Sequence, residues 1–254
     1  MLFYRIFSFI VPAIIGGLSG LLFWRANLAY FTLIVAGLAS FLGAWLLVKS
    51  KVKLKRSCFF YALFSLLQTE SGLVMFLFLE NFALKLILAA AIVISNFLYL
   101  NELFVQYFKK ALPQLEKLWS IFYLTQLFLA FFMASILYGL RDFLSVSLGL
   151  LLPVFFILTV VLSWYHNWSA WHLKISPLLF RVVIAFIVSQ MFWAVSLLPL
   201  VYYLKGLLLA LWYAVVISLV VWQFGKTAPK KIVRNYLIIA MIVAVLILAT
   251  AQWF

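Results

Sequence analysis

The sequence predicts an all-α protein, a polytopic bundle of transmembrane helices with about nine spans. Hydrophobic residues fill 69% of the 254 positions and charged residues only 9%. A water-soluble domain is about 45–50% apolar and about 25% charged, and even a compact one exposes much of its surface. The mean hydropathy of +1.24 belongs to a chain surrounded by lipid. The apolar residues also come in long runs, without the two-residue alternation of a membrane β-barrel.

A span needs roughly 20 apolar residues, and the runs at 3–24, 28–48, 58–79, 82–108, 118–139, 143–164, 176–199, 201–224 and 235–253 each qualify. The first run carries only Arg5 and closes on no A-x-A-like site, so it reads as a span and not as a cleaved signal peptide. Gly16, Gly17 and Gly20 in the first run favour close helix packing, as do Ala36, Gly37, Ala39, Ser40 and Gly43 in the second. Glu80 and Asn81 form a tight turn between the third and fourth runs. Pro12 and Pro153 fall inside the first and sixth runs and predict kinks. Pro199 ends the seventh run, because it disfavours helix in the residue before it. No soluble domain is expected: residues 1–254 read as a single membrane domain.

Charge sets the expected orientation. Of 19 basic residues, 14 fall on one side: Arg5, Lys49, Lys51, Lys53, Lys55, Arg56, Lys109, Lys110, Lys117, Lys174, Lys226, Lys230, Lys231 and Arg234. Arg25, Lys85, Arg141 and Lys205 fall on the other side, and Arg181 lies inside a span. The positive-inside rule then puts the N-terminus in the cytoplasm of a plasma (inner) membrane and, after nine spans, the C-terminus outside. The net charge of +14 is explained in the same way and does not call for nucleic acid. Lys49, Lys51, Lys53, Lys55, Arg56, Lys230 and Lys231 are the residues placed to meet anionic lipid heads or a membrane partner subunit.

An internal repeat is expected at an offset of 120 residues. Phe60 matches Phe180, Leu84-Lys85 matches Leu204-Lys205, Ala90 matches Ala210, Phe104 matches Phe224, and Glu70 faces Gln190. Extended along the chain, this gives two tandem four-helix units, 1–116 and 117–234, and an extra helix, 235–254. Four spans per unit make the copies parallel, one of the two repeat plans of transporters.

Polar residues inside spans are the candidate site. Glu70 lies about 12 residues into its span, roughly 18 Å deep, beside Gln68, Thr69 and Ser71. A carboxylate at that depth costs several kcal/mol and is a candidate for proton coupling or solute binding. The alternative is a packing role, hydrogen-bonding between helices. Gln190 and Ser189 lie at similar depth in the seventh run. Arg181 lies nearer the basic side, with Asn96 and Glu102 at a matching depth as partners for an intramembrane pair. Lys85 and Lys205 read as side chains that reach back to the interface.

Several chemistries lack their residues. The single cysteine, Cys58, allows no intrachain disulfide and no thiolate metal cluster. His166 and His172 are six apart, where a helical metal pair wants three or four, so neither a metal nor a cofactor is expected. No Walker A, HExxH or GxSxG pattern occurs, and no catalytic residue is assigned. The expected function is a small non-enzymatic translocator, a permease or flippase for an apolar, amphipathic or lipid-linked solute. The alternative is a structural or assembly subunit of a larger membrane complex.

Overall fold

A computed structural model describes residues 2–49, 55–109, 115–163 and 177–224, together with 238, 241–243, 245–247 and 249. Its α-helices are α1 (Leu2–Trp24), α2 (Ala29–Lys49), α3 (Lys55–Phe78), α4 (Phe82–Phe104), α5 (Leu115–Leu144), α6 (Leu148–Ser163), α7 (Pro177–Ser196) and α8 (Tyr202–Phe224). Among the described residues, seven helices are long and apolar enough to cross a membrane, and α6 is a shorter apolar helix. The ninth run, 235–253, lies largely outside the described residues, and those described within it are helical. The chain is a multi-pass helical membrane protein.

Its outward faces agree. Tyr30 is 83% exposed, Phe82 69% and Leu150 67%. Apolar side chains so bare suit lipid and not water. Several hydroxyls within the spans are tied to their own helices. Ser19 donates to the Gly16 carbonyl, Ser40 to Gly37 and Thr159 to Phe155. Such back-bonding satisfies the group without water.

The chain divides into two compact units, Met1–Phe132 and Met133–Phe254, so α5 begins in the first and ends in the second. In unit 1, α2 packs on α3, and α1 packs on both α2 and α4. Gly43 admits Val11 of α1. Gly16 lies against Val93 of α4, but Gly17 and Gly20 have open space where a Cβ would go. The predicted small-residue face of the first helix is therefore used only in part. The face of α2 is used more fully: Ala36, Gly37, Ser40 and Gly43 are buried and Ala39 is half-buried.

In unit 2, α6 packs on α7 and α7 on α8. Three rings stack through its centre: Tyr138 on Phe192 at 4.4 Å, and Phe192 on Phe155 at 4.5 Å. The Tyr138 hydroxyl donates to the Phe192 carbonyl at 2.9 Å, locking the stack to the backbone. Gly206 of α8 lies on the Ser135 backbone of α5.

Several boundaries differ from expectation, and the end of the fifth run is the one with chemical consequences. The fifth run ends at 139 in the sequence reading, but α5 continues to Leu144 and takes Arg141 and Asp142 into its last turns. Both charges find partners there. Arg141 donates to the Ser196 carbonyl at 3.2 Å, and Asp142 accepts from Lys205 at 3.4 Å. The chain then turns at Ser145, whose φ of 52° is left-handed. Lys205 is accordingly buried, with its ammonium 6.0 Å from the Tyr138 ring centre, and does not reach for the interface. Lys85, its match in the proposed repeat, lies 5.6 Å over the Phe76 ring.

Candidate functional site

The polar residues of α3 divide between its faces. Glu70 is half-buried and points to α2, where its carboxyl covers Gly37; a Cβ on that glycine would collide with Glu70 Oε1. Thr69 points to α4. Its hydroxyl donates to Asn96 Oδ1 at 2.9 Å and is equally close to the Ser65 carbonyl. Asn96 in turn donates through Nδ2 to the Ile92 carbonyl at 2.9 Å, so both ends of its amide are used. Thr69→Val keeps the shape but strands Asn96 Oδ1. It is expected to lower stability by about 1 kcal/mol, the range of interhelical hydrogen bonds in membranes. Equilibrium unfolding in mixed micelles measures this, and an unchanged value would mean that the bond contributes nothing.

Gln68 lies about 100° round the helix from Thr69, away from Glu70. It is completely buried. Neither Nε2 nor Oε1 has a hydrogen-bond partner among the described residues. The same holds for Oγ of Ser65, Oε1 of Glu102 on α4, Oε1 of Gln126 on α5 and Oγ of Ser8 on α1. These atoms belong to unit 1, and none of the five side chains is more than 2% exposed.

The helix register brings four of them to overlapping depths. Helices α3 and α4 run antiparallel, with Thr69 beside Asn96, Gly72 beside Ile92 and Phe64 against Tyr99 at 5.0 Å. At 1.5 Å per residue, Ser65 lies about 6 Å below the Thr69–Asn96 level and Glu102 about 9 Å below it. Gln68 lies within about 2 Å of that level. Phe132 of α5 sits beside Gly72. Successive spans alternate in direction, so Gln126, six residues earlier, falls about level with residue 66. Glu102 shares a face of α4 with Ser95, seven residues before it, beside the Ile92–Asn96 face that packs on α3. The result is a set of buried polar side chains at overlapping depths on α3, α4 and α5, holding one carboxyl group and several atoms without a hydrogen-bond partner among the described residues.

No family model matches this chain, and no curated protein or solved structure matches it. The site therefore rests on its own geometry.

The remaining expected residues take the following places. Asn96 and Glu102 belong to unit 1, and Arg181 is buried at 4% exposure on α7 of unit 2. Ser189 is buried with Oγ unpartnered among the described residues. Gln190, next to it, faces outward among exposed Phe186 and Trp193. Lys49 is exposed at the end of α2, and Lys55 and Arg56 open α3. Lys51, Lys53, Lys230 and Lys231 lie outside the described residues, as do His166 and His172. Among the described residues, no three His, Cys, Asp or Glu side chains gather to hold a metal.

Sequence reasoning missed Gln126, Ser65 and Asp142. Gln126 was open to notice, because an amide inside an apolar run is as costly as the one at Gln68. Ser65 gave no signal, since serine satisfies itself in most membrane helices. Asp142 was hidden by a helix end placed five residues too early.

Proposed function

We propose that this protein is a small membrane translocator, a permease or flippase, which carries an amphipathic or lipid-linked solute past the polar core of unit 1. The observation that carries the reading is Gln68, a fully buried amide with neither end partnered among the described residues. An unsatisfied buried amide costs about 1–3 kcal/mol by mutational measures. A bundle needing only to pack would hold leucine at no such cost. Retained polar atoms at overlapping depths on α3, α4 and α5 suit a solute's polar end, while the apolar remainder of the solute can stay in lipid.

Matching helix bounds 120 residues apart support the same reading. Helix α4 covers Phe82–Phe104 and α8 covers Tyr202–Phe224, a shift of 120 at both ends (202 − 82 and 224 − 104). Helices α1 and α5 end at Trp24 and Leu144, again 120 apart. Rings Phe23 and Phe82 meet at 5.3 Å and 61°, and Phe143 and Tyr202, each 120 later, at 5.4 Å and 68°. Parallel repeats of this kind are one plan on which transporters are built. The excess of basic residues on one side, 14 against 4, supports a cytoplasmic N-terminus.

The test is Gln68→Leu. Removing the orphaned amide should leave thermal stability unchanged or raised, because a buried polar cost disappears. Transport should fall by at least tenfold. The readout is translocation of fluorescent phospholipid in proteoliposomes, alongside native mass spectrometry for a lipid or solute retained by the wild type and lost by the variant. Unaltered translocation and retention in a stable Gln68→Leu protein would defeat the reading. A stoichiometric protein partner, released by reversing Lys51, Lys53 and Lys55 to Glu, would favour the assembly-subunit reading instead.

A further inference from the structure

The unspent atoms of the polar core have a common chemical character. Glu102 Oε1, Gln68 Oε1, Gln126 Oε1 and the Ser65 hydroxyl are oxygens able to accept, and the only nitrogen donor among them is Gln68 Nε2. Glu102 is 1% exposed. Among the described residues of unit 1, no lysine or arginine pairs with it; the ion pair that does form, Lys205 with Asp142, belongs to unit 2. A buried carboxylate without a counter-charge is expensive, and within membranes such groups pair with cations or mark their paths. An anion would meet the Glu102 carboxyl with no cation to offset it, and an uncharged solute would leave an ionised Glu102 uncompensated.

We infer that the core between α3, α4 and α5 binds a monovalent cation, with Glu102 as its charged ligand and Ser65, Gln68 and Gln126 as neutral oxygen ligands. The inference deepens the translocator reading, since the cation is either a coupling metal ion or the ammonium end of the carried solute. The depths allow it. The four residues fall within about 8 Å along the bundle axis, and Gln and Glu side chains extend far enough inward to converge. Oxygen ligands alone suit a hard cation, and the lone carboxylate matches a single positive charge. Glu70 takes no part, because it lies on the opposite face of α3 against Gly37.

The experiment is thermal unfolding of the full chain in detergent at constant ionic strength, titrating NaCl, KCl or ethanolammonium chloride against choline chloride. One of the three small cations should raise the midpoint saturably, by about 5 °C at a hundredfold excess over its Kd. A rise with Na+ or K+ identifies a metal ion, and a rise confined to ethanolammonium identifies an amine headgroup. Glu102→Gln, which keeps the shape and removes the charge, should abolish the rise. Gln68→Leu should weaken binding at least fivefold. Identical midpoints for the wild type in all four salts would overturn the inference whatever the variants do, as would a saturable rise that survives in Glu102→Gln. Because this readout needs no transport, a cation-dependent midpoint without lipid translocation leaves the site standing and removes the translocator. Translocation with a cation-independent midpoint does the reverse.

Discussion

Replacing Gly206 with alanine is expected to lower the stability of the protein by about 3 kcal/mol, near the upper end for an overpacked contact. A Cβ built on Gly206 comes within 2.9 Å of the Ser135 nitrogen and 3.0 Å of its Cα. Both are backbone atoms, so no change of rotamer relieves the clash and α8 must move off α5. That movement strains the Lys205–Asp142 pair one residue away. Gly37→Ala is the control. Its Cβ meets the end of the Glu70 side chain, a flexible group that can swing aside. The expected loss there is under about 1 kcal/mol. Thermal midpoints of the two variants in the same detergent decide the matter: equal losses would mean that the tight α5–α8 approach is not what holds unit 2 together.

Phe192→Ala is the second large effect. The ring lies between Tyr138 and Phe155 in the three-ring stack and is completely buried. In a soluble core such a change costs about 3–5 kcal/mol, part of it loss of hydrophobic transfer. Here the transfer part shrinks, because lipid is as apolar as the interior. The cavity part remains: removing about 100 Å³ at about 24 cal/mol per Å³ costs roughly 2–3 kcal/mol. Lost ring stacking adds about 1 kcal/mol. The Tyr138–Phe192 hydrogen bond ends on a backbone carbonyl and survives the substitution. Unfolding equilibria of Phe192→Ala and Phe192→Leu separate the two contributions, since leucine fills most of the cavity but cannot stack. A loss below 1 kcal/mol for alanine would show that the unit collapses around the gap.

The helices were legible in the sequence because the membrane leaves a chain little choice. A run of about 20 apolar residues must be helical when no water is present to satisfy its backbone. What blurred was where helices stop. Charge is a poor guide to an end, as Arg141 and Asp142 remain helical because Ser196 and Lys205 of other helices take them up. The site was half legible. Depth along a span can be counted, so Gln68, Glu70, Asn96 and Glu102 were all flagged. Direction round the helix cannot be assigned until neighbours are known. Gln68 and Glu70 are two residues apart, yet one lies in the core and the other against α2. Gln190 was placed by depth in the same way and turned out to face outward.

The turn between α3 and α4 contains only Leu79, Glu80 and Asn81. Asn81 closes it by accepting from the Ala83 and Leu84 amides at 2.9 and 3.3 Å. Helices tied so closely can enter a bilayer as one hairpin. The bonds from Thr69 to Asn96 and from Tyr99 to the Tyr61 carbonyl lie wholly within that hairpin. They can therefore form at the moment of insertion, before α5 has left the ribosome. Much of the polar load of α3 and α4 is thus paired within the hairpin, and what it leaves without a partner among the described residues is Gln68, the Ser65 hydroxyl and Oε1 of Glu102. On the reading proposed above, this hairpin alone already carries three of the four groups that would meet a ligand, Ser65, Gln68 and Glu102, and α5 supplies only the fourth.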